Sequence, residues 1–511
     1  MSSWFCKMSG SRLNVTREVS HFSAHSQRRR WLLFVIVAIA ISFGLSVWNI
    51  LTTGLWIDEL YTLHAIRLPM REMFLERWRR GHPPLYFLLE KLVYGALADS
   101  SLPLEAKLRL LSLVFWFLAV VMQVIFSFRF LPSPVAAVSS IIVATSTNGL
   151  MQAANARMYT LVLLAAVCWT HAWILLRRGA SPYAKTLLII AAIVGCGASP
   201  TFLILLGMAS IHAVLKRSNP KLMIFALCAG LLVLLPGFIA YANTPHQMGP
   251  AAKNPARLLG GILTLLSGIG TGKLPDGAIP RLISACGYLL GGLAAVGLIK
   301  RLCKRSLPQW LPAQLVWLLL LYVLANALLK IHPATSRFVI GSDRYVCAFI
   351  PVGAVVGAYG LLHFSRSSRR TIVPLMGCLA VLSWLWLLVT PIKENRVFAH
   401  TMKELRTVYR AGQAILATPQ EIRDGLELLL PEARVIGTLP VFCPNPAEIE
   451  RVVELASKED GVWLIAYRAH CPALVRTIVS RWGEPQLLLR GELEKRDTTL
   501  LVAFFEPKPA R

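Results

Sequence analysis

Asp58 and Glu59 stand side by side directly after the first long apolar stretch, residues 31–51, and His82-Pro83-Pro84-Leu85-Tyr86-Phe87 follows downstream. Adjacent carboxylates at the mouth of a membrane span are costly in an apolar protein, which marks them for proton transfer at the membrane surface. Asn155-Ala156-Arg157-Met158-Tyr159 places a guanidinium, a group that matches phosphate oxygens bidentately, at the start of another apolar stretch. The bland readings are a helix cap for Asp58-Glu59, a turn residue for His82 and an interfacial anchor for Arg157.

These residues sit in a chain that is 55% hydrophobic and 15% charged over 511 positions, with mean hydropathy +0.58, which suits a polytopic membrane protein. The net charge of +27 does not point to nucleic acid, because the Lys and Arg fall in short clusters between apolar runs; they read as topology signals and contacts to anionic lipid. Acids divide the chain more sharply: ten lie in residues 1–391 and sixteen in the last 120. We expect a cytoplasmic N-terminal tail over 1–30, polar and mobile over 1–27, a membrane body over 31–391 with a long external loop at 52–108, and a water-soluble C-terminal domain over 392–511.

Apolar runs fall at about 31–51, 109–128, 135–149, 159–176, 186–198, 201–215, 222–241, 282–299, 311–329, 346–362 and 371–391, eleven spans if Gly195, Gly197 and Pro200 turn 186–215 into a helical hairpin. Arg28-Arg29-Arg30 place the N-terminus in the cytoplasm, and alternation puts acid-free basic loops inside and every acid from Asp58 to Asp343 outside, together with the C-terminal domain. Bacterial inner membrane with a periplasmic active face is the matching location. There a disulfide between Cys443 and Cys471 is open. The other cysteines behave as small hydrophobes without metal spacing.

In the first loop, 69–80 and 84–98 have helical periodicity and read as interfacial helices whose Arg and Trp anchor and snorkel. Beyond 392 we expect helix at 394–414, strand at 434–442, helix at 446–458, strand at 462–467, helix at 472–482 and two strands within 486–505, a small α/β domain for acceptor binding, partner docking or packing support.

The order Asp58-Glu59-Leu60-Tyr61, then His82-Pro83-Pro84-Leu85-Tyr86-Phe87, then Asn155-Ala156-Arg157-Met158-Tyr159 resembles the GT-C glycosyltransferases. More narrowly, it resembles the protein O-mannosyltransferase, aminoarabinose transferase and lipopolysaccharide-core transferase superfamily. Each motif alone is weak; their order and shared external side carry the resemblance, which covers about 31–391. It implies an α-helical GT-C membrane fold and a sugar donor linked through phosphate to a polyprenol. It also implies a lipid, glycan or protein acceptor and transfer with inversion.

On that resemblance Asp58 and Glu59 are the candidate catalytic pair. Asp58 is the base or acceptor-orienting carboxylate, while Glu59 points elsewhere and supports the site or binds acceptor. Arg157 is the candidate ligand of the donor phosphate, joined by Arg344 in Asp343-Arg344-Tyr345. His82, Tyr86, Tyr159, His332 and Tyr345 are candidate substrate contacts. No cofactor is called for with certainty: a divalent ion stays open, since the superfamily has members with and without one and no His-x-x-His or Cys-x-x-Cys spacing occurs. The rival reading is a polyprenyl-linked lipid or solute transporter, which the lack of charges within the apolar runs and of an inverted repeat disfavours.

Overall fold

The first span is a single helix, α1 (Phe5–Thr52), that continues back through the tail expected to be mobile. The structure, a computed structural model, describes residues 5–177, 182–215, 219–243, 255–270, 277–304, 343–364, 369–389, 393–418, 422–439, 446–467, 472–490 and 500–507. After α1 come three short helices, α2 (Ile57–Arg67), α3 (Met70–Arg79) and α4 (Leu85–Ala96). The membrane body continues as α5 (Leu104–Phe130), α6 (Ser133–Thr145), α7 (Thr147–Ala153), α8 (Tyr159–Arg177), α9 (Pro182–Ala198), α10 (Phe202–Leu215), α11 (Pro220–Ala242), α12 (Pro255–Ser267) and α13 (Ala278–Cys303). A 3-10 turn at Asp343–Phe349 leads into α14 (Ile350–Leu361), and α15 (Arg369–Val389) ends the body.

Six helices among the described residues are long and apolar enough to cross a bilayer: Gln27–Thr52, Leu104–Phe130, Tyr159–Leu176, Pro220–Ala242, Ala278–Cys303 and Thr371–Val389. The bent pair α6 and α7, at 46°, makes a seventh if taken as one span, and α9, α10 and Val346–Leu361 are shorter apolar helices. Large apolar side chains such as Leu33, Ile36, Leu232, Leu282 and Leu289 stay exposed, as a lipid-facing surface requires. The chain is therefore a multi-pass membrane protein. The expected hairpin within 186–215 is present as α9 and α10, whereas the expected span at 311–329 lies outside the described residues. Where α13 meets α14 the backbones nearly touch: a Cβ on Gly297 would collide with the Gly360 carbonyl, so only glycine fits.

The C-terminal region is a five-stranded sheet of order β2-β1-β3-β5-β4. It is built from α16 (Lys393–Val408), β1 (Ala414–Thr418), α17 (Ile422–Leu429), β2 (Arg434–Thr438), α18 (Pro446–Ala456), β3 (Val462–Tyr467), α19 (Pro472–Trp482), β4 (Leu487–Arg490) and β5 (Leu500–Phe505). Strand β1 runs parallel to both β2 and β3, while β5 is antiparallel to β3 and β4. The helix expected over 394–414 stops at Val408, and Gly412, at φ +93, turns the chain into β1. Strand β1 and helix α17 are additions to the sequence reading. All five residues of β1 are buried, so the polar/apolar alternation that announces a half-exposed strand is missing.

Alternate residues of the strands face two cores. Ala414, Leu416, Val462, Leu464 and Ala503 pack under α18 and α19. Ile415, Ala417, Trp463, Ile465 and Val502 face the other way and share a core with Phe398, Leu405, Ile422 and Leu426. That second core also contains Leu55, Leu60, Leu63 and Ile66, so α2, the helix bearing Asp58 and Glu59, is packed against the C-terminal sheet and its helices.

Candidate active site

Two carboxylates in its first turn favour helix initiation at α2, where they face the positive end of the helix dipole. Glu59 completes the start by reaching back to accept the Trp56 backbone N–H at 3.2 Å. The helix then presents three faces, set by its 3.6-residue turn. Leu60, Leu63, His64 and Arg67 face the C-terminal region, where His64 Nδ1 lies 2.6 Å from Asp424 and Arg67 lies 3.4 Å from it. Glu59 and Thr62 face the body. Asp58 and Tyr61, one turn apart, face the site.

Glu59 is fully buried and is the node of the assembly. It accepts Arg109 Nε at 2.7 Å and Nη2 at 2.6 Å, and the Ala156 backbone N–H at 2.9 Å. Arg109, also fully buried, donates onward to the carbonyls of Ile50, Thr53 and Gly54 at 3.2, 2.7 and 2.7 Å. Those carbonyls lie at and just beyond the C-terminal end of α1, which lack intrahelical partners and carry the negative end of the dipole. One ion pair therefore joins the end of α1, the start of α2, α5 and the segment before α8. Arg109 corrects an expectation, since it is a charge inside an apolar span, Leu104–Phe130.

The segment joining α7 to α8 is held against α2 by Glu59 and by Thr62 Oγ1, which donates to the Ala156 carbonyl at 2.9 Å. The next residue, Arg157, thereby reaches Asp58: its Nη1 donates to the Asp58 carbonyl at 3.2 Å and its Nη2 lies 3.8 Å from the Asp58 carboxylate. Asp58 keeps 14% of its side chain exposed while Arg157 keeps 3%. The two residues singled out for chemistry, 99 positions apart, meet at one spot.

Two cations that the sequence reading treated as membrane anchors belong here as well. Arg77 is buried, not snorkelling: it is paired with Glu76, and its guanidinium stacks 4.8 Å above the Phe87 ring. Burial lowers its pKa, opposed by Glu76, and the Arg80 and Arg157 charges act on it in the same sense as burial. Arg80 stacks 5.2 Å over Tyr61, one turn from Asp58. Spacing within 69–80 could have suggested this, because Arg77 and Arg80 share a face at i and i+3.

His82 is partly exposed and lines a small, partly open apolar pocket of about 40 Å³ with Trp78, Pro83, Pro200, Phe238 and Tyr241. Tyr86 is fully buried and bonded to Ser112 and Glu90. Tyr159, at the start of α8, is 1% exposed. Arg344 and Tyr345 fall in the 3-10 turn; only the backbone is described there. His332, Cys443 and Cys471 lie outside the described residues. Among the described residues no three His, Cys, Asp or Glu side chains gather as a metal-holding group.

No family model and no curated protein matches the chain. Solved structures do. ArnT from Cupriavidus metallidurans in the apo state aligns with TM-score 0.56 at 10% identity, over 92% of this chain and 97% of that one. The same protein bound to undecaprenyl phosphate aligns with TM-score 0.54 at 12% identity and the same coverage. The archaeal oligosaccharyltransferase AglB from Archaeoglobus fulgidus, in complex with an inhibitory peptide and a dolichol-phosphate, aligns with TM-score 0.50 at 11% identity, over 90% of this chain and 72% of that one. The chain shares its fold with these proteins.

Proposed function

We propose that the protein transfers a sugar from a polyprenyl-phosphate donor to a lipid, glycan or protein acceptor, with inversion, at the periplasmic face of a bacterial inner membrane. The carrying observation is the meeting of Asp58 with Arg157, in a fold shared with a protein captured with undecaprenyl phosphate. In this reading the Asp58 carboxylate orients the acceptor and takes its proton as the acceptor attacks the anomeric carbon. Arg157, with Arg80 near by, meets the phosphate, whose charge grows as the bond to the sugar breaks, so the contact is strongest in the transition state. The Glu59–Arg109 pair holds both groups in place. No step is assigned to a metal ion.

Binding of undecaprenyl phosphate to the purified protein in nanodiscs tests the phosphate site. Arg157→Ala is expected to weaken it by about tenfold or more, the effect of losing a charge-assisted contact, whereas Asp58→Asn keeps it. Equal binding by wild type and Arg157→Ala would contradict the assignment.

A further inference from the structure

Glu90 takes no part in the chemistry above, yet it is a carboxyl wholly removed from solvent next to the site. Its Oε2 lies 3.1 Å from the Tyr86 hydroxyl, which lies 2.8 Å from Ser112 Oγ, which in turn donates to the Arg157 carbonyl at 3.1 Å. Tyr86 and Ser112 are as buried as Glu90, so water does not stand in for a missing partner.

A count of hydrogens fixes the direction of this chain. Ser112 has one hydroxyl hydrogen, and the Arg157 carbonyl can only accept it. The Ser112–Tyr86 contact must then use the hydrogen of Tyr86. Nothing is left for the Tyr86–Glu90 contact unless Glu90 supplies it. All three contacts are hydrogen bonds only when Glu90 carries a proton; an ionised Glu90 would take the Tyr86 hydrogen and leave Ser112 with one hydrogen for two acceptors.

We propose that Glu90 is a positioning residue for Arg157, heading a donor chain through Tyr86 and Ser112 that fixes the backbone from which the guanidinium is aimed. This rests on the reading of Arg157 as the phosphate ligand. The surroundings suit a protonated acid. Burial holds the Glu90 carboxyl well above the usual carboxylate range and the Glu59 charge adds to this, against the Tyr86 hydrogen bond. Burial likewise raises the Tyr86 phenol. Among the charges on the packed elements, Arg157 acts on the Tyr86 phenol against burial, and Arg77, paired with Glu76, stacks over Phe87 of α4; the others are engaged elsewhere. From α2 comes Glu59, held by Arg109 of α5, and on α4 itself Lys91 donates to the carbonyls of Ile66 and Leu68. Helix α9 meets α4 where Gly197 faces Leu85, about 18 Å along its axis from Lys185. Because the carboxyl's value is raised in the fold, the chain is complete below that value and is lost as pH rises through it.

The test is binding of undecaprenyl phosphate to the full protein in nanodiscs from neutral to alkaline pH, a range in which the probe's phosphate is already ionised. Infrared spectra are taken alongside. Wild type should show a protonated-carboxyl carbonyl band at neutral pH that Glu90→Gln removes, and should lose about tenfold in affinity as that band titrates away. Glu90→Leu and Tyr86→Phe should show the loss already at neutral pH. Glu90→Gln, whose amide still donates to Tyr86, should restore affinity and flatten the alkaline limb. Absence of the band, an alkaline loss that persists in Glu90→Gln, or Glu90→Leu binding like wild type would overturn the proposal. If these fail while Arg157→Ala still weakens binding, the positioning chain is wrong and the phosphate site stands. If Arg157→Ala binds like wild type, the phosphate site itself is wrong and the proposal falls with it.

Discussion

Asp58 and Glu59 are neighbours with opposite fates. Asp58 keeps access to solvent beside a guanidinium, while Glu59 is sealed under Arg109 and two backbone N–H groups. A buried pair contributes little net stability over an apolar substitute, but removing one partner leaves a buried charge uncompensated. Arg109→Met should therefore destabilise the folded protein by about 3–5 kcal/mol, read as a fall in thermal midpoint in detergent. A variant as stable as wild type would show that Glu59 does not depend on this partner. Sequence alone singles out Asp58 and Arg157 as candidates, because each stands in a local motif whose residue type suits the proposed chemistry, and the structure brings the two together. Sequence could not separate the roles of Glu59 and Tyr86. Their partners, Arg109 and Ser112, are 50 and 26 residues distant, and only tertiary packing brings them in.

At the scale of elements, α2 is the link between the reacting groups and the C-terminal region. Its apolar face shares a core with α16, α17 and the sheet, and its polar end pairs with Asp424. The apolar contact dominates. The His64–Asp424 pair keeps 18% of each side chain exposed, so Asp424→Asn should cost only about 0.2–1 kcal/mol. Leu63→Asp buries a charge in the shared core and should abolish transfer while undecaprenyl phosphate binding through Arg157 falls too, since both depend on α2. Transfer by Leu63→Asp at the wild-type rate would refute this coupling. Docking of this kind is invisible in sequence, where Leu60, Leu63 and Ile66 read only as an apolar stripe without a stated partner. The strands with clear boundaries, 462–467 above all, were legible; the wholly buried β1 was not.

For the molecule as a whole, exposed apolar flanks, the close glycine contact of α13 with α14 and the fold shared with ArnT describe a membrane body carrying a sheet. Gly360→Leu should separate α13 from α14 and lower folded yield, because the Ala294 carbonyl occupies the space a Cβ needs; normal yield and thermal midpoint would contradict that close packing. The basic loops between apolar runs predict the sheet on the external side. A cysteine introduced at the exposed Ser480 should react with a membrane-impermeant reagent added to intact spheroplasts, and protection until lysis would reverse the assigned orientation. The strongly asymmetric acids made this two-part organisation readable from composition.

Asp58 is proposed to take the acceptor's proton during transfer from a polyprenyl-phosphate sugar. Purified protein in nanodiscs is offered a panel of radiolabelled polyprenyl-phosphate sugars with candidate acceptors, and acceptor-dependent release of free polyprenyl phosphate is scored for wild type and Asp58→Asn. Turnover with one donor, falling by a factor of about 10² to 10⁴ in Asp58→Asn while undecaprenyl phosphate binding persists, is the predicted result. Turnover by Asp58→Asn at the wild-type rate would contradict it.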